Sequence, residues 1–272
     1  MKAIRCHTYG PPSSLVLESV PDLEPKENEV LVQVKACGIN FPDTLIIQVL
    51  YQIRPELPFT PGSDVAGVVL ALGDGVQHVS VGDAVIGFVA HGGLAEQVIL
   101  PAKACFPKPA PMDFPVAASF MMAYGTAYHA LKDRGSLQAG ETLLVLGASG
   151  GVGLAAVELG KRMGATVIAA ASTNEKLELC REYGADHLLN YSGTDLKSAL
   201  KDLTGGKGVD VVLDPVGGAY AEPAFRAMAW EGRYLIVGFA AGTIPSIPLN
   251  LPLLKGASLV GVFWGQFAMT QP

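Results

Sequence analysis

Residues 142–164 read TLLVLGASGGVGLAAVELGKRMG and predict a strand, a glycine turn and a helix in succession. The apolar run 143–146 has the length and character of a fully buried parallel strand. Apolar residues then recur at helical spacing from Val152 to Leu159. Such a turn lets backbone N–H groups approach a pyrophosphate at the positive end of the helix dipole. Because a glycine turn alone can also be a plain tight connection, the flanking elements carry the prediction of a dinucleotide site. Its expected cofactor-binding residues are Gly147, Ser149, Gly150, Gly151, Val152 and Gly153.

Strand-like and helix-like segments alternate after residue 142, which predicts an open, doubly wound parallel sheet with a ligand at the carboxyl ends of its strands. Strands are expected at residues 143–146, 166–171, 187–190, 209–213, 233–237 and 259–263. Helices are expected at residues 151–163, 174–183, 195–204 and 221–229.

Residues 1–110 predict a separate β-rich unit. Short β-branched segments at 30–37, 64–72, 84–89 and 95–100 are separated by Gly, Pro and Asn/Asp clusters. The Pro-rich stretch KPAPMDFP (108–115) is typical of a connection between domains, and a buried helix is expected over 116–131. We therefore divide the chain into a first domain, 1–118, and a dinucleotide-binding domain, 119–272.

Composition narrows the classes of function. Of the 272 residues, 16% are charged and 50% are hydrophobic, which indicates a globular protein. A net charge of −6 argues against nucleic acid as a partner. The four cysteines form no C-x-x-C pair, so neither a zinc ribbon nor a disulfide framework is indicated, and a reducing compartment fits. No signal peptide or continuous apolar span is evident, which favours a cytoplasmic protein, with a mitochondrial location left open.

The end of the second strand decides which dinucleotide is expected. NAD sites usually place an acidic residue there, about 20 residues past the glycines, to hold the ribose 2′-hydroxyl. Here the position is Ser172, with Lys176 one helical turn further on. A hydroxyl and a lysine suit a 2′-phosphate, so NADPH is favoured over NADH. Two alternatives remain: Ser172 and Glu175 could form a capping box beside a merely solvated Lys176, and Glu175 could serve NADH.

Seven stretches, in order along nearly the whole chain, resemble the zinc-independent medium-chain dehydrogenase/reductase family. The resemblance is specifically to NADPH:quinone oxidoreductases of the zeta-crystallin-like group. The stretches are KACGINFPDTLI (35–46), PGSDVAGVV (61–69), VGDAVIGF (81–88), GGLAEQVILP (92–101), AYGTAYHAL (123–131), GASGGVG (147–153) and DPVGG (214–218). The resemblance implies an N-terminal GroES-like catalytic domain, a Rossmann domain and an active site in the cleft between them.

The resemblance also implies roles for single residues. The residues that it assigns to the nicotinamide and substrate are Asn40 and Tyr51, those near the nicotinamide half are Thr126, Gly238 and Phe239, and those on the 2′-phosphate are Ser172, Lys176 and Tyr191. Each could instead serve the fold alone, as a turn, helix, strand-end or core residue. Where the family commonly has Gly-Lys before the tyrosine, this chain has Val49 and Leu50.

Zinc-bearing relatives place a cysteine, a His-Glu pair and a second cysteine around a catalytic metal. By the same matching, Asn40, the pair Ser63–Asp64 and Ala118 occupy these positions. Because zinc prefers thiolate and imidazole ligands, no metal is expected.

The expected reaction is hydride transfer from NADPH to a quinone or an α,β-unsaturated carbonyl, without zinc. The Asn40 amide and the Tyr51 hydroxyl would stabilise the charge that builds on the carbonyl oxygen. One alternative is an enoyl-thioester reductase. Another is a truncated NADPH-binding protein without catalytic activity, because family members continue for several tens of residues beyond the sixth strand. On that comparison, the C-terminal part of the catalytic domain is expected to be missing from a chain that stops at Pro272.

The family also associates through the sixth Rossmann strand, which continues the sheet across a homodimer. The stretch SLVGVFW (258–264) is apolar enough for such an edge. The alternative is that it forms an inner core strand.

Overall fold

The computed structural model describes residues 1–270. They form two compact units, the first ending at Met122 and the second beginning at Ala123. The division falls inside one helix, at residues 120–128. Among these residues, no helix is both long and apolar enough to cross a lipid bilayer.

Antiparallel strands form the first unit. A two-stranded sheet and a five-stranded sheet, the latter in the order β6-β3-β4-β5-β7, are present within residues 1–270. The strands are β1 (Lys2–Arg5), β2 (Val16–Ser19), β3 (Glu29–Gly38), β4 (Asp64–Leu72), β5 (Ala84–Phe88), β6 (Gln97–Pro101) and β7 (Cys105–Pro107). Alternate valines such as Val30, Val32, Val65 and Val69 form the core of the larger sheet. Between β3 and β4 lies the short helix α1 (Phe41–Ile46).

A six-stranded parallel sheet organises the second unit, in the order β10-β9-β8-β11-β12-β13. Its strands are β8 (Thr142–Leu146), β9 (Thr166–Ala171), β10 (His187–Asn190), β11 (Val209–Asp214), β12 (Met228–Ile236) and β13 (Ser258–Gly261). The strand order reverses between β8 and β11, at the position where doubly wound sheets bind ligands. The predicted GroES-like and Rossmann architecture is therefore confirmed.

Helices cover both faces of this sheet. Within residues 1–270, the α-helices after α1 are α2 (Phe114–Ala117), which belongs to the first unit, α3 (Phe120–Tyr128), α4 (Gly151–Arg162), α5 (Asn174–Glu182), α6 (Leu196–Leu203), α7 (Ala221–Arg226), α8 (Asn250–Lys255) and α9 (Trp264–Thr270). Along β8, Leu143 and Val145 belong to one apolar cluster, whereas Leu144 and Leu146 belong to another. The strand is thus buried on both sides, which explains why it reads as a continuous apolar run.

The prediction of one helix over 116–131 is wrong. Asp113 caps α2, which ends at Ala117, and a π-helix (His129–Arg134) follows α3. Within α3, a Cβ at Gly125 would lie 2.6 Å from Cε2 of Trp264, so this indole packs directly on the helix backbone.

Other boundaries also differ from the prediction, and the strand expected to begin at residue 233 begins at Met228. The helix expected to end at residue 229 ends at Arg226, because Met228 and Ala229 join β12. The last strand ends at Gly261 and not at residue 263, because Phe263 leads into α9.

Candidate functional site

The glycine turn between β8 and α4 is shaped for close backbone approach. Gly147 has a φ of 59°, in the left-handed region that favours glycine. A Cβ at Gly153 would lie 2.3 Å from the carbonyl oxygen of Gly147, so only glycine fits where the helix meets the turn. At Gly151 the nearest atom would be Cβ of Ala123 at 3.9 Å, which leaves the start of α4 open.

The N-terminus of α4 has no side-chain cap. Its N-cap residue is Gly150, which is exposed, and the half-buried Ser149 and Val152 lie before the N-cap and within the first turn. The first N–H groups of a helix have no partner within the helix, and the helix dipole favours an anion there. The turn is therefore able to bind a pyrophosphate through backbone N–H groups alone.

Ser172 and Lys176 lie together at the end of β9. The ammonium group of Lys176 donates to the Ser172 hydroxyl at 3.1 Å. The alternative that Ser172 caps the next helix is wrong, because Thr173 is the N-cap of α5 and its hydroxyl accepts from the N–H of Lys176 at 3.4 Å. Ser172 is therefore not a helix cap, and Lys176 beside it is exposed. A hydroxyl group paired with an exposed ammonium group is better suited to bind a phosphate than to bind a sugar hydroxyl.

Tyr191 lies beside this pair. Its N–H donates to the carbonyl of Ala171, the residue before Ser172, at 3.1 Å. Its ring packs on Tyr220, with centroids 4.2 Å apart. Burial, followed by the neighbouring Tyr220 and Asp214, raises the pKa of the Tyr191 phenol, so the hydroxyl stays a hydrogen-bond donor at neutral pH. The structure therefore brings Ser172, Lys176 and Tyr191 together.

Asp214 organises the loop after β11 and was not singled out from the sequence. One carboxylate oxygen accepts from the N–H groups of Val216 and Gly217, both at 2.8 Å. The other accepts from the hydroxyl of Tyr234 at 2.6 Å, and burial together with this contact raises the pKa of that phenol well above its usual range. An acid at the end of an apolar parallel strand, in the motif DPVGG, was the signal for this role.

Gly238 and Phe239 follow β12 and contact the loop after β11. The N–H of Gly238 donates to the carbonyl of Asp214 at 3.3 Å, and a Cβ at Gly217 would lie 2.9 Å from the Phe239 ring. Val216 in turn approaches Gly147, since a Cβ at Gly147 would lie 2.7 Å from Cγ2 of Val216. Thr126 is buried in α3, one turn beyond the Ala123 that borders Gly151.

In the first unit, Asn40 begins α1. Its N–H donates to a carboxylate oxygen of Asp43 at 2.8 Å, and the N–H of Asp43 donates to the Asn40 carbonyl at 3.0 Å. Burial, followed by the charge of Asp43, raises the pKa of the Tyr51 phenol. Asn40 and Tyr51 therefore share Asp43 as a neighbour, and the Asn40 amide and the Tyr51 hydroxyl are both hydrogen-bond donors at neutral pH.

Asp64, at the start of β4, is fully buried beside this group. Its Oδ2 accepts from the N–H of Met122 at 2.9 Å. Burial raises the pKa of Asp64 to about 7, with a smaller contribution from Asp43, although hydrogen bonding by Met122 and by the Asn40 side chain lowers it. Burial also raises the pKa of Cys37 to about 12, so this thiol is not a nucleophile at neutral pH.

Comparisons with known proteins cover both units. A family model described as zinc-binding dehydrogenase matches residues 151–272, and one described as alcohol dehydrogenase GroES-like domain matches residues 26–110. Quinone oxidoreductase-like protein 2 of Bos taurus is 44% identical over 254 residues, which are 93% of this chain and 73% of that protein. The chain belongs to the zinc-independent, quinone oxidoreductase-like medium-chain dehydrogenase/reductase family.

Solved structures of similar proteins agree with the family. The Escherichia coli quinone oxidoreductase complexed with NADPH has a TM-score of 0.91 and 31% identity, covering 98% of this chain and 82% of its own. The enoyl reductase CurK has a TM-score of 0.90 and 29% identity, covering 100% of this chain and 83% of its own.

The family model's description mentions zinc, but the residues at the matched ligand positions of this chain do not suit a zinc site. The positions matched to zinc ligands hold the amide of Asn40, the pair Ser63–Asp64 and the methyl group of Ala118. Zinc sites need thiolate, imidazole or several carboxylate ligands, and Asp64 is the single group of that kind in the set. Across residues 1–270, no three His, Cys, Asp or Glu side chains are grouped to hold a metal ion.

Proposed function

We propose that the protein is an NADPH-dependent oxidoreductase that transfers a hydride to a quinone or an α,β-unsaturated carbonyl without zinc. The observation that carries the choice of NADPH is the Lys176–Ser172 pair at the end of β9, where an acidic residue would indicate NADH. The NADPH complex of the similar Escherichia coli enzyme supports the same choice.

The residues that would hold the nucleotide lie in the second unit, at the ends of β8, β9, β10 and β12 and in helix α3. The glycine turn would bind the pyrophosphate, and Ser172, Lys176 and Tyr191 would bind the 2′-phosphate. We propose that Thr126, Gly238 and Phe239 lie against the nicotinamide half. Bound NADPH would supply the hydride.

Asn40 and Tyr51 are the proposed catalytic residues. When a carbonyl compound accepts a hydride, negative charge builds on its oxygen, and hydrogen-bond donors must stabilise that charge. The Asn40 amide is always able to donate, and the raised pKa of Tyr51 keeps its hydroxyl protonated at pH 7–8. Neither residue has to give up a proton, because water can protonate a reduced quinone.

The test is NADPH oxidation followed at 340 nm with a panel of ortho-quinones and enones. We expect turnover, and we expect Asn40→Ala to lower kcat by about 10²–10³, the usual effect of losing one well-placed donor. Tyr51→Phe tests the hydroxyl separately. Asp74→Asn, an exposed change in the same unit, is the control. Unchanged turnover in Asn40→Ala would remove that residue from the mechanism.

An enoyl-thioester reductase is the second candidate, because the enoyl reductase CurK is similar over the whole chain. The two are separated by comparing crotonyl-type thioesters with small ortho-quinones at equal concentration. Faster oxidation of NADPH with the thioester would indicate an enoyl-thioester reductase. Tight NADPH binding without turnover on either class would instead indicate a binding protein.

We also propose a homodimer through the last strand of the Rossmann sheet. Within residues 1–270, β13 ends the sheet and pairs on one side with β12. Nearby Trp230, Leu249 and Leu253 are 69–79% exposed. An edge strand with apolar neighbours is stabilised when a second copy continues the sheet.

We propose a reducing compartment such as the cytoplasm for this protein, because its four cysteines are free thiols.

A further inference from the structure

Asp64 is a carboxyl group in an unusual position. Its side chain is completely buried, and none of the ion pairs within residues 1–270 includes it. Its Oδ2 is held by the N–H of Met122, whereas its Oδ1 is buried without a partner in full hydrogen-bond geometry among the described residues. A buried carboxyl group without a cation destabilises a fold, so the position calls for an explanation other than stability.

The matching group is the amide of Asn40. Its nitrogen, Nδ2, is buried and likewise lacks a partner in full hydrogen-bond geometry within residues 1–270. The Asn40 side chain nevertheless lies close enough to lower the pKa of Asp64 by hydrogen bonding. Strand register explains the proximity, because Asp64 pairs with Gly38, two residues before Asn40. A buried donor and a buried acceptor thus lie next to each other.

The backbone of Asn40 is fixed by another residue. Asp43 accepts from the Asn40 N–H at 2.8 Å and is itself held by the N–H of Gly62 at 3.2 Å. Asp43 therefore fixes the backbone of Asn40, from which the side chain extends. It does not fix the rotation of the side-chain amide, and Asp64 is the acceptor beside that amide.

We propose that Asp64 is a positioning residue whose Oδ1 accepts one N–H of the Asn40 amide and so directs the second N–H toward the substrate oxygen. An amide nitrogen carries two donors, so bonding one to Asp64 leaves the other for a ligand. A carboxylate can only accept, and it therefore selects the amide orientation with nitrogen toward it. This proposal rests on the proposed function, in which Asn40 is the donor to the substrate.

Asp64→Asn separates this role from a structural one. The new amide oxygen can still accept from Met122, and the substitution removes a buried charge. Because the pKa of Asp64 is raised to about 7, its ionisation lowers stability as the pH rises through that value. The titratable groups that face it are Asp43 from α1 and Cys37 from β3, and neither provides a positive charge. We therefore expect a higher Tm for Asp64→Asn at pH 8, whereas a residue kept for stability would give a lower one.

The experiment compares the wild type, Asp64→Asn and the exposed control Asp74→Asn. The side-chain amide signals of Asn40, assigned by their loss in Asn40→Ala, are recorded by ¹H–¹⁵N NMR at pH 8. They are expected to move in Asp64→Asn and to stay unchanged in the control. In turnover assays, Asp64→Asn is expected to lower kcat roughly 10-fold with the KM for NADPH unchanged, a smaller effect than the loss of the donor itself. In the Asn40→Ala background it should have no further effect.

Unmoved Asn40 signals in Asp64→Asn, or a further loss of kcat in the double variant, would overturn the positioning role. So would a fall in Tm at pH 8. A wild type that turns over no quinone, enone or thioester would refute the proposed function. The NMR signals and the Tm would then still decide whether Asp64 orients Asn40.

Discussion

Two adjacent hydroxyl groups at the end of β9 have different partners. Thr173 accepts from the backbone N–H of Lys176 and caps α5, whereas Ser172 contacts the ammonium group of the same lysine. One hydroxyl therefore serves the stability of the helix, and we assign the other to the 2′-phosphate. This division makes each residue a control for its neighbour.

We predict opposite effects for the two alanine substitutions. Thr173→Ala should lower the free energy of unfolding by about 0.5–2 kcal/mol through loss of the N-cap, with the preference for NADPH over NADH retained. Ser172→Ala should leave stability unchanged within about 0.5 kcal/mol and weaken NADPH binding selectively. Urea denaturation and calorimetric titration measure the two quantities. If Ser172→Ala lowered stability and left NADPH binding intact, our assignment of Ser172 would be wrong.

At the scale of elements, the turn between α1 and Tyr51 contains a strained residue. Val49 has a φ of 62°, a left-handed conformation that a β-branched side chain rarely adopts. The N–H of the next residue, Leu50, donates to the carbonyl of Leu45 at 2.9 Å, which holds the turn in place. Such strain usually costs about 1–3 kcal/mol.

We predict that Val49→Gly raises the free energy of unfolding by about 1 kcal/mol. Glycine adopts this conformation without strain, although it loses more backbone entropy on folding than valine does. Thermal unfolding measures the change. The control is Val81→Gly, an exposed valine outside the left-handed region, which should give no gain. A lower Tm for Val49→Gly than for Val81→Gly would show that the valine side chain stabilises the turn.

Elements with a simple burial pattern could be predicted from the sequence. The strands at 166–171 and 187–190 match the structure to the residue. The first is an inner parallel strand, buried from residue 167 to residue 171, and it therefore leaves an unbroken apolar run. The break between α2 and α3 could not be predicted. The N–H of Met122, in the first turn of α3, donates to Asp64, which lies 58 residues earlier, and sequence periodicity contains no record of such a contact.

At the scale of the whole molecule, the exposed apolar residues next to β13 predict association. Trp230 lies near the end of α8, where a Cβ at Gly256 would be 3.3 Å from its ring. Leu253 of α8 is 79% exposed. We expect light scattering to give the mass of two chains, and we expect Leu253→Glu to shift it toward one. Leu203→Glu, on α6, is the control and should leave the mass unchanged. A wild-type mass of one chain would refute the dimer.

The candidate site was predictable in part. The glycine turn, Ser172 and Lys176 follow from local spacing, because a phosphate-binding turn is built from neighbouring residues. The motif DPVGG marks Asp214 as an acid at a strand end, but the contacts of Asp214 and Asp64 do not follow from local spacing. Their roles depend on Tyr234 and Met122, which lie 20 and 58 residues away in the sequence.

The proposed NADPH site is tested most directly by calorimetric titration of the wild type and of Lys176→Ala with NADPH and with NADH. We expect the wild type to prefer NADPH, and Lys176→Ala to weaken NADPH binding roughly 10- to 100-fold with NADH unchanged, because a charge-assisted contact contributes about 1.5–3 kcal/mol. Lys201→Ala, on α6, should behave as the wild type. Equal affinity for the two nucleotides in the wild type, or an unchanged preference in Lys176→Ala, would contradict the proposed NADPH site.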